Sequence, residues 1–279
     1  MRARSSRTPA APGTGPKTEK LALDRLDVQA PSQPLWHYRL GRTAAGAFTW
    51  LYSSCHVEGA ENLPEGPAVL CFSHQNWIDP IVLMAALPPS PHCRFFGPEQ
   101  NDMTRGVRNR LMRWAGIAIP FPVGRRGLVA ATRRAEELLA AGDWVGIAGE
   151  GRIHSGEAVI LPLMDGPAYL AIWAGVPLVP IAINGTSWLA FRRRVRIRIG
   201  KPLETERPAD RTLIPRAVAA LTGQARASLL ELASGYPDPP RTRFLGAWLT
   251  ELFNEWPEGG RPAVPAREQA SGISPRGAR

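Results

Sequence analysis

Short uninterrupted apolar runs recur along the middle of the chain, and each is followed by polar or charged residues. Runs of this kind are typical of strands buried on both faces of a parallel sheet, and they occupy residues 67–72, 117–123, 144–148 and 176–183. Segments with apolar positions at helical spacing alternate with them, at residues 103–115, 128–141, 168–174 and 208–232. The alternation predicts an α/β fold, a single domain with a largely parallel central sheet flanked by helices.

A different pattern follows the last of these runs. Val195, Ile197 and Ile199 alternate with Arg196 and Arg198, which indicates a half-exposed strand near an edge of the sheet. Strict alternation places the two arginines on the opposite face from the apolar residues, and we expect that face to be in contact with solvent.

The two ends of the chain differ from this middle part. Residues 1–34 are basic, rich in Pro, Ser, Thr and Gly, and without the apolar stretch of a signal peptide, so we expect a disordered arm. Residues 257–279 have a similar composition and are expected to form a disordered tail. Between them lie the α/β domain at 35–235 and an amphipathic helix at 240–256.

The apolar positions of the C-terminal helix form one broad stripe, made of Phe244, Leu245, Trp248, Leu249, Leu252, Phe253 and Trp256. Such a stripe usually packs against a protein core. A late position in the chain and two tryptophans also suit a helix that lies on a membrane surface. The sequence leaves both interpretations open.

Two uncharged segments are candidates for crossing a membrane. Residues 166–191 are long enough, but Pro177, Pro180 and Gly185 interrupt them where a helix needs continuity. Residues 43–57 are too few, because a spanning helix needs about 20. We therefore expect no transmembrane helix.

The net charge of +10 and the isoelectric point near 10.5 indicate an anionic partner. Nucleic acid, lipid headgroups and the phosphates of coenzyme A all fit this charge. Arg192, Arg193 and Arg194 closely follow Trp188 and Phe191. Basic residues beside aromatic ones suit a membrane interface as well as an ordinary solvated face.

The most informative polar residues are His74 and Asp79. His74 comes just after the run at 67–72, while Asp79 and Pro80 begin an apolar segment as an N-cap and a first helical residue would. On one continuous helix their side chains would lie about 140° apart, but a strand-turn-helix corner can fold Asp79 back onto the imidazole. The pair would then be a base with an orienting carboxylate, able to take a proton from a substrate hydroxyl. Alternatively, Asp79 is only a helix cap and His74 a hydrogen-bonded loop residue.

Charged residues follow two further strands. Glu150, Gly151 and Arg152 come directly after the third apolar run. Arg125 follows the second run. Open α/β sheets bind ligands at the carboxyl ends of their strands, and arginine is well shaped for phosphate, so we expect a phosphate site beside His74. Solvated surface arginines, one of them paired with Glu150, are the alternative.

Several other chemistries find no support in the motifs. The chain has no Gly-x-Ser-x-Gly elbow and no phosphate-binding loop that ends in Gly-Lys-Ser/Thr. The dinucleotide fingerprint that Gly149 and Gly151 would begin fails at His154. The three cysteines lack Cys-x-x-Cys spacing and the five histidines do not cluster, so neither a metal nor another cofactor is predicted.

Four blocks, in this order, resemble the lysophospholipid acyltransferase family, which includes bacterial 1-acylglycerol-3-phosphate acyltransferases. They are the His-x4-Asp sequence FSHQNWIDP at 72–80, GIAIPFPVGR at 116–125, GEGR at 149–152 and VPLVPIAI at 176–183. The resemblance covers roughly residues 36–201 and implies an acyltransferase-like fold. The third block departs from the family twice, because Gly149 stands in place of a proline and Arg152 directly follows Gly151 instead of coming one position later.

The resemblance implies a role for each matching residue. His74 is the general base and Asp79 orients it. The substrate-binding residues that it implies are Asn76, Arg125, Glu150, Gly151 and Arg152. Within that group the arginines would bind the acceptor's phosphate, and Glu150 is expected to orient an arginine.

The implied function is transfer of a fatty acyl group from acyl-CoA or acyl carrier protein to the hydroxyl of a lysophospholipid, with 1-acylglycerol-3-phosphate as the favoured acceptor. No cofactor beyond this co-substrate and no nucleic acid are expected. An anionic membrane surface is an expected partner, because the acceptor is a lipid, so we expect a peripheral enzyme at the cytoplasmic face of the cell membrane. Another acceptor such as a lyso-aminolipid or glycerol-3-phosphate, a thioesterase-like hydrolase, and a non-enzymatic binder of membrane or nucleic acid remain as alternatives.

Overall fold

The computed structural model describes residues 35–98, 111–121, 125–237, 244–251 and 254, without the side chains of residues 98, 120, 121 and 125–127. The arm at 1–34 and the tail at 257–279 lie outside the described residues. So does most of the helix predicted at 103–115, of which the described part contains a helical turn at 111–114.

Helices and strands alternate along the described part of the chain as the apolar pattern predicts. The helices are α1 (Leu35–Tyr52), α2 (Asp79–Ala86), α3 (Arg125–Ala140), α4 (Gly166–Ala174), α5 (Ile214–Ala233) and α6 (Phe244–Glu251). The strands are β1 (Ser53–Glu58), β2 (Ala68–Phe72), β3 (Cys93–Pro98), β4 (Ala118–Phe121), β5 (Trp144–Ala148), β6 (Leu178–Asn184) and β7 (Arg193–Ile199).

The strands form one seven-stranded sheet in the order β1-β7-β6-β2-β5-β3-β4. From β6 to β4 every neighbouring pair is parallel, whereas β7 runs antiparallel to β6 and pairs in parallel with β1. The central strand β2 is buried along its whole length. The predicted single α/β domain with a largely parallel sheet is confirmed.

Alternation along β2 divides the core into two layers. Ala68, Leu70 and Phe72 point to the layer that contains α1 and α2. Val69 and Cys71 point to the layer formed by α3, α4 and α5. Because both faces of the strand are covered, the strand reads in the sequence as a continuous apolar run.

The arginines of β7 are not simply solvated, as their alternation had suggested. The apolar residues of the strand are buried as expected. Arg196 donates to the carbonyl oxygens of Ala233 (3.3 Å) and Ser234 (2.7 Å), at the end of α5. Arg198 donates to Glu58 at 2.8 Å. The period of two identifies the face correctly, but the end of a helix covers that face and its carbonyl groups bind the arginines.

Helix α1 packs against α2 and leaves apolar side chains open to solvent. Trp36, Leu40, Trp50 and Leu51 are exposed, and Trp50 is 83% exposed. Among the helices that the structure describes, none is both long enough and apolar enough to cross a membrane.

Candidate active site

A corner at His74 joins the end of β2 to the start of α2, at the carboxyl edge of the parallel strands. Ser73 anchors this corner to β6, since its hydroxyl accepts from the N–H of Ile183 at 2.9 Å and donates to the carbonyl of Ile183 at 3.3 Å. Ile78 occupies the N-cap position of α2, and Asp79 is the first helical residue. The strand-turn-helix corner is present, but the expectation that Asp79 caps the helix is wrong, because its carboxylate turns back toward the loop.

The Asp79 carboxylate fixes the His74 ring through Nδ1. Nδ1 of His74 lies 3.0 Å from Oδ2 of Asp79, and the same oxygen accepts from the backbone N–H groups of Gln75 at 2.6 Å and Asn76 at 2.8 Å. The carboxylate is fully buried, whereas 16% of the His74 side chain stays exposed. With its Nδ1–H bonded to the carboxylate, the ring presents Nε2 as the nitrogen that can take a proton.

Glu150 connects the third motif to the same corner. Its Oε2 accepts from the backbone N–H of His74 at 2.7 Å. Its Oε1 lies 2.9 Å from Nε2 of His154 and accepts from the N–H of Leu161 at 3.2 Å. The expected pairing of Glu150 with an arginine is therefore wrong within the described part of the chain, because the His74 backbone and the His154 ring occupy the two oxygens.

Two glycines shape the turn that follows β5. The N–H of Gly149 donates to the carbonyl of Phe72 at 2.9 Å, a bond that a proline could not make because it has no N–H. Gly151 is left-handed, with φ of +65°, and a Cβ atom there would lie 3.0 Å from Cγ of Met164. The departure from the family's proline thus coincides with an extra bond between the two strands that carry the site.

The remaining predicted binding residues differ in their surroundings. Arg152 is exposed, and its guanidinium has no hydrogen bond or ion pair to any described residue. Arg125 begins α3, but its side chain lies outside the described part of the structure. Asn76 is fully buried, and its Nδ2 donates to the carbonyl of Thr186 at 2.9 Å. Asn76 therefore supports the corner from inside, and its contact with substrate stays a prediction.

A second buried carboxylate supports the corner, and the motifs did not reveal it. Glu157 accepts from the N–H of Gly185 at 2.7 Å and from the hydroxyl of Ser187 at 2.5 Å. Burial raises the pKa of Glu157, against the lowering effect of these hydrogen bonds. The turn at 185–187 that this carboxylate holds carries the carbonyl that binds Asn76.

The arrangement suits proton transfer at the edge of the sheet. A buried carboxylate fixes Nδ1 of the imidazole, and part of the His74 side chain stays exposed. A histidine held in one tautomer in this way is a suitable general base for a hydroxyl substrate. Within the described ranges, no group of three or more His, Cys, Asp or Glu side chains is placed to hold a metal ion.

The site lies inside a match to a known domain. Residues 54–184 match the family described as Acyltransferase. Over this segment the chain is similar to that family. The matched segment contains all of the residues predicted for the site, from His74 to Arg152.

Two acyltransferases extend this match. The chain is 29% identical over 188 residues to the 1-acyl-sn-glycerol-3-phosphate acyltransferase of Pseudomonas aeruginosa, an alignment that covers 63% of this chain and 67% of that protein. The crystal structure of the 1-acyl-sn-glycerophosphate (LPA) acyltransferase PlsC from Thermotoga maritima has a TM-score of 0.50 and 22% sequence identity, covering 79% of this chain and 83% of that one. The structural similarity bears on the fold, while the domain match and the sequence relative support an O-acyltransferase.

Proposed function

We propose that this acyltransferase moves a fatty acyl group from a thioester to the free hydroxyl of 1-acylglycerol-3-phosphate, giving phosphatidic acid. The observation that carries the proposal is the partly exposed His74 side chain, whose Nδ1 is bonded to the buried Asp79 carboxylate. Similarity to a protein of that named activity supports the choice of acceptor.

The proposed reaction passes through one tetrahedral intermediate. Nε2 of His74 takes the proton of the acceptor hydroxyl, while Asp79 stabilises the imidazolium that forms. The acceptor oxygen attacks the thioester carbonyl carbon and forms the new C–O bond. Collapse of the intermediate breaks the C–S bond, and the leaving thiolate takes the proton back from the imidazolium. No acyl-enzyme is needed, because the acceptor itself is the nucleophile.

We assign the acceptor headgroup to the turn after β5. Arg152 supports this assignment, because its exposed guanidinium has no partner among the described residues and can bind phosphate oxygens. Gly151 lets the backbone approach the ligand, and Arg125 would supply a second cation. Glu150 acts on the His74 backbone in this arrangement.

A second acceptor is a separate candidate, favoured by the position of Arg152 directly after Gly151. This spacing puts the cation one residue earlier than the family's block does. A lyso-aminolipid and glycerol-3-phosphate are the two acceptors that this departure brings into consideration, and both would use the same His74 chemistry.

The proposed donor is acyl-CoA or acyl carrier protein, and we propose no further cofactor. We also propose that the enzyme works as a peripheral protein at the cytoplasmic face of the membrane, where its lipid acceptor is found. The net charge of +10 and the exposed rings of Trp50 and Phe191 support contact with an anionic lipid surface.

Thiol release from acyl-CoA by the purified protein, with and without lysophosphatidic acid in detergent, tests this function. We expect acceptor-dependent release by the wild type and its loss in His74→Ala. His92→Ala is a matched control, because Nδ1 of His92 also bonds a carboxylate, Asp143, at 3.2 Å, but stands at the start of β3 and not at the carboxyl edge. This control should keep full activity.

Other results would contradict the proposal in distinct ways. Thiol release without acceptor that still needs His74 would make the protein a hydrolase. Release only with a lyso-aminolipid or glycerol-3-phosphate would leave the chemistry in place and change the acceptor. No release with either donor and any acceptor of the panel would overturn the proposed reaction.

A further inference from the structure

The loop between His74 and Asp79 is bonded to α6 and to Asn254, which lies beyond the end of α6. The backbone N–H of Trp77 donates to Oδ1 of Asn254 at 3.0 Å, and its indole N–H donates to the carbonyl of Leu249 at 3.3 Å. Trp77 precedes Asp79 by two residues. Both bonds therefore reach the segment that sets the geometry of the His74–Asp79 pair.

Helix α6 also holds a second segment beside the site. Thr250 is fully buried, and its hydroxyl accepts from the N–H of Leu189 at 2.8 Å and donates to the carbonyl of Gly246 at 2.8 Å. Leu189 closely follows the turn at 185–187, whose carbonyl binds Asn76. The helix is thus attached to both segments that shape the corner.

The opposite face of α6 is apolar and open. Phe244, Leu245 and Trp248 are 87%, 63% and 49% exposed. Helical residues turn by about 100° each, which groups these three on one side and leaves Gly246 and Thr250 on the packed side. Aromatic side chains grouped on an open helix face are typical of an interaction surface.

Charge and neighbouring groups favour a lipid bilayer as the occupant of this face. Phe191 is 67% exposed, and its ring packs edge-on against Tyr52 with the ring centroids 6.3 Å apart. Arg192 and Arg194 beside it are exposed, and neither guanidinium has an acidic partner among the described residues. Leu189, two residues before Phe191, bonds α6. Aromatic rings flanked by arginines suit insertion at headgroup depth in anionic lipid.

We propose that α6 is a bilayer-contact helix that couples lipid binding to the geometry of the His74–Asp79 loop. Lipid that binds the outward face stabilises the docked helix, and the docked helix holds the loop through Trp77 and Leu189. An acceptor presented in vesicles is therefore turned over faster than a short-chain acceptor in buffer. The proposal rests on the proposed function, because it takes a lipid surface as the source of the acceptor.

Vesicle flotation tests the contact without any substrate. We expect Phe244→Ser/Trp248→Ser to bind vesicles of phosphatidylglycerol and phosphatidylcholine at least about tenfold more weakly than wild type, because two apolar rings no longer leave water. Leu213→Ser/Leu230→Ser is the matched control, since these leucines are 49% and 39% exposed and lie just before and on α5. Equal flotation of all three proteins would overturn the contact. So would a wild-type dimer that the α6 variant converts to a monomer in ultracentrifugation, because the face would then join two copies.

A substitution on the packed side of α6 tests the coupling. Thr250→Val removes the acceptor of the Leu189 N–H and changes the side-chain volume little. We expect unchanged flotation with turnover in vesicles about tenfold lower, since small displacements at a reacting centre are costly, and Thr250→Ser should restore it. Unchanged turnover in Thr250→Val, or equal loss in Thr250→Ser, would overturn the coupling. If the wild type turned over no acceptor at all, the coupling and the proposed function would both be overturned. Weaker flotation of the Phe244→Ser/Trp248→Ser variant would still support the lipid contact in that case.

Discussion

The Asp79 carboxylate is held differently from that of a helix cap. Oδ2 receives Nδ1 of His74 and two backbone N–H groups, while Oδ1 is buried without a hydrogen-bond partner among the described residues. A buried oxygen without a donor costs stability. We therefore assign the Asp79 carboxylate the role of supporting the His74 ring.

The ionisation of Glu157 should make the unfolding free energy of the protein depend on pH. Because burial raises its pKa, the folded protein binds a proton here more readily than the unfolded chain does. The stabilisation that this difference contributes is fully present below the unfolded pKa, near 4.3, and is lost as the pH rises through the folded value. Glu157→Gln lacks this titration. We expect the unfolding free energy of the wild type, minus that of Glu157→Gln, to fall as the pH rises from 4 to 7.5.

Chemical denaturation of both proteins across that pH range measures the difference. It should shrink by about 1.4 kcal/mol for each unit by which the pKa is raised. Glu204→Gln serves as the control for the loss of a glutamate at an exposed position. A Glu157→Gln difference that grew with pH would mean that the hydrogen bonds of the turn outweigh burial and lower the pKa.

At the scale of single residues, the sequence predicted the pair but not its supports. The spacing of His74 and Asp79 across a strand-helix corner was enough to predict their contact, because local chain geometry determines it. Glu157 was missed because its partners Gly185 and Ser187 come from a distant turn, and a local pattern carries no record of a long-range hydrogen bond. The role of Glu150 was misjudged in part for the same reason, since one of its partners is the distant backbone N–H of His74.

The turn at 185–187 supports the corner at His74, because its carbonyl binds Asn76. Gly185 has φ of +93°, and a Cβ atom there would overlap the carbonyl oxygen of Arg194. We expect Gly185→Ala to lower the unfolding free energy by about 3 kcal/mol or more, because both the backbone conformation and the space exclude a side chain. Gly142 offers a matched control, since its φ is +90° but nothing lies within 4 Å of an added Cβ.

Urea denaturation of the two variants measures how much steric overlap adds to the loss of unfolding free energy. Gly142→Ala should cost about 1 kcal/mol, the strain of a left-handed alanine alone. Equal losses in the two variants would mean that the 185–187 turn moves aside. In that case the turn would not be rigid enough to position Asn76.

Among the elements, strands with a continuous apolar run or a strict alternation were predictable, whereas β1 and β3 were missed. β2, β5 and β6 read as continuous apolar runs because both faces are covered. β1 was missed, because an edge strand with exposed positions such as Cys55 has no such run. The core-packing interpretation of the C-terminal helix describes one side of α6, since Leu249 packs on the core. Phe244 is open, and contact of that side with a membrane stays a prediction.

At the scale of the whole molecule, the reaction rates of the cysteine thiols measure how readily the sheet opens. Cys55 is exposed, whereas Cys71 and Cys93 are buried in the two core layers. Burial raises the pKa of Cys71 to about 12 and that of Cys55 to about 11, so accessibility decides which thiol a reagent reaches first. We expect one cysteine of the native protein to react with a thiol reagent, and all three in urea.

Mass spectrometry after timed labelling would follow each thiol separately. Cys71 should react at least about a thousandfold more slowly than Cys55, because its exposure requires opening of the central sheet. Cys55→Ser should remove the reactive thiol and leave the slow ones unchanged. If Cys71 reacted as fast as Cys55, the centre of the sheet would open locally without global unfolding.

The predicted architecture holds for the described part of the chain, apart from the reversal at one end of the sheet. The strand-helix alternation predicted parallel strands, and five neighbouring strands are parallel. The reversal arises because β7 follows β6 as an antiparallel neighbour without a crossover helix. The pairing of β1 with β7 joins distant parts of the chain, and no local pattern in the sequence indicates that contact.

This pairing has a consequence for synthesis of the protein. β1 is the first strand of the described chain to leave the ribosome, yet its neighbour in the sheet, β7, is the last. Through most of translation the nascent chain therefore carries an unpaired strand beside the aromatic residues of α1. Strands that wait for a distant partner fold slowly and are exposed to misassembly. The growing chain completes this edge only after β7 has emerged, so chaperone contact with the nascent protein should concentrate before that point.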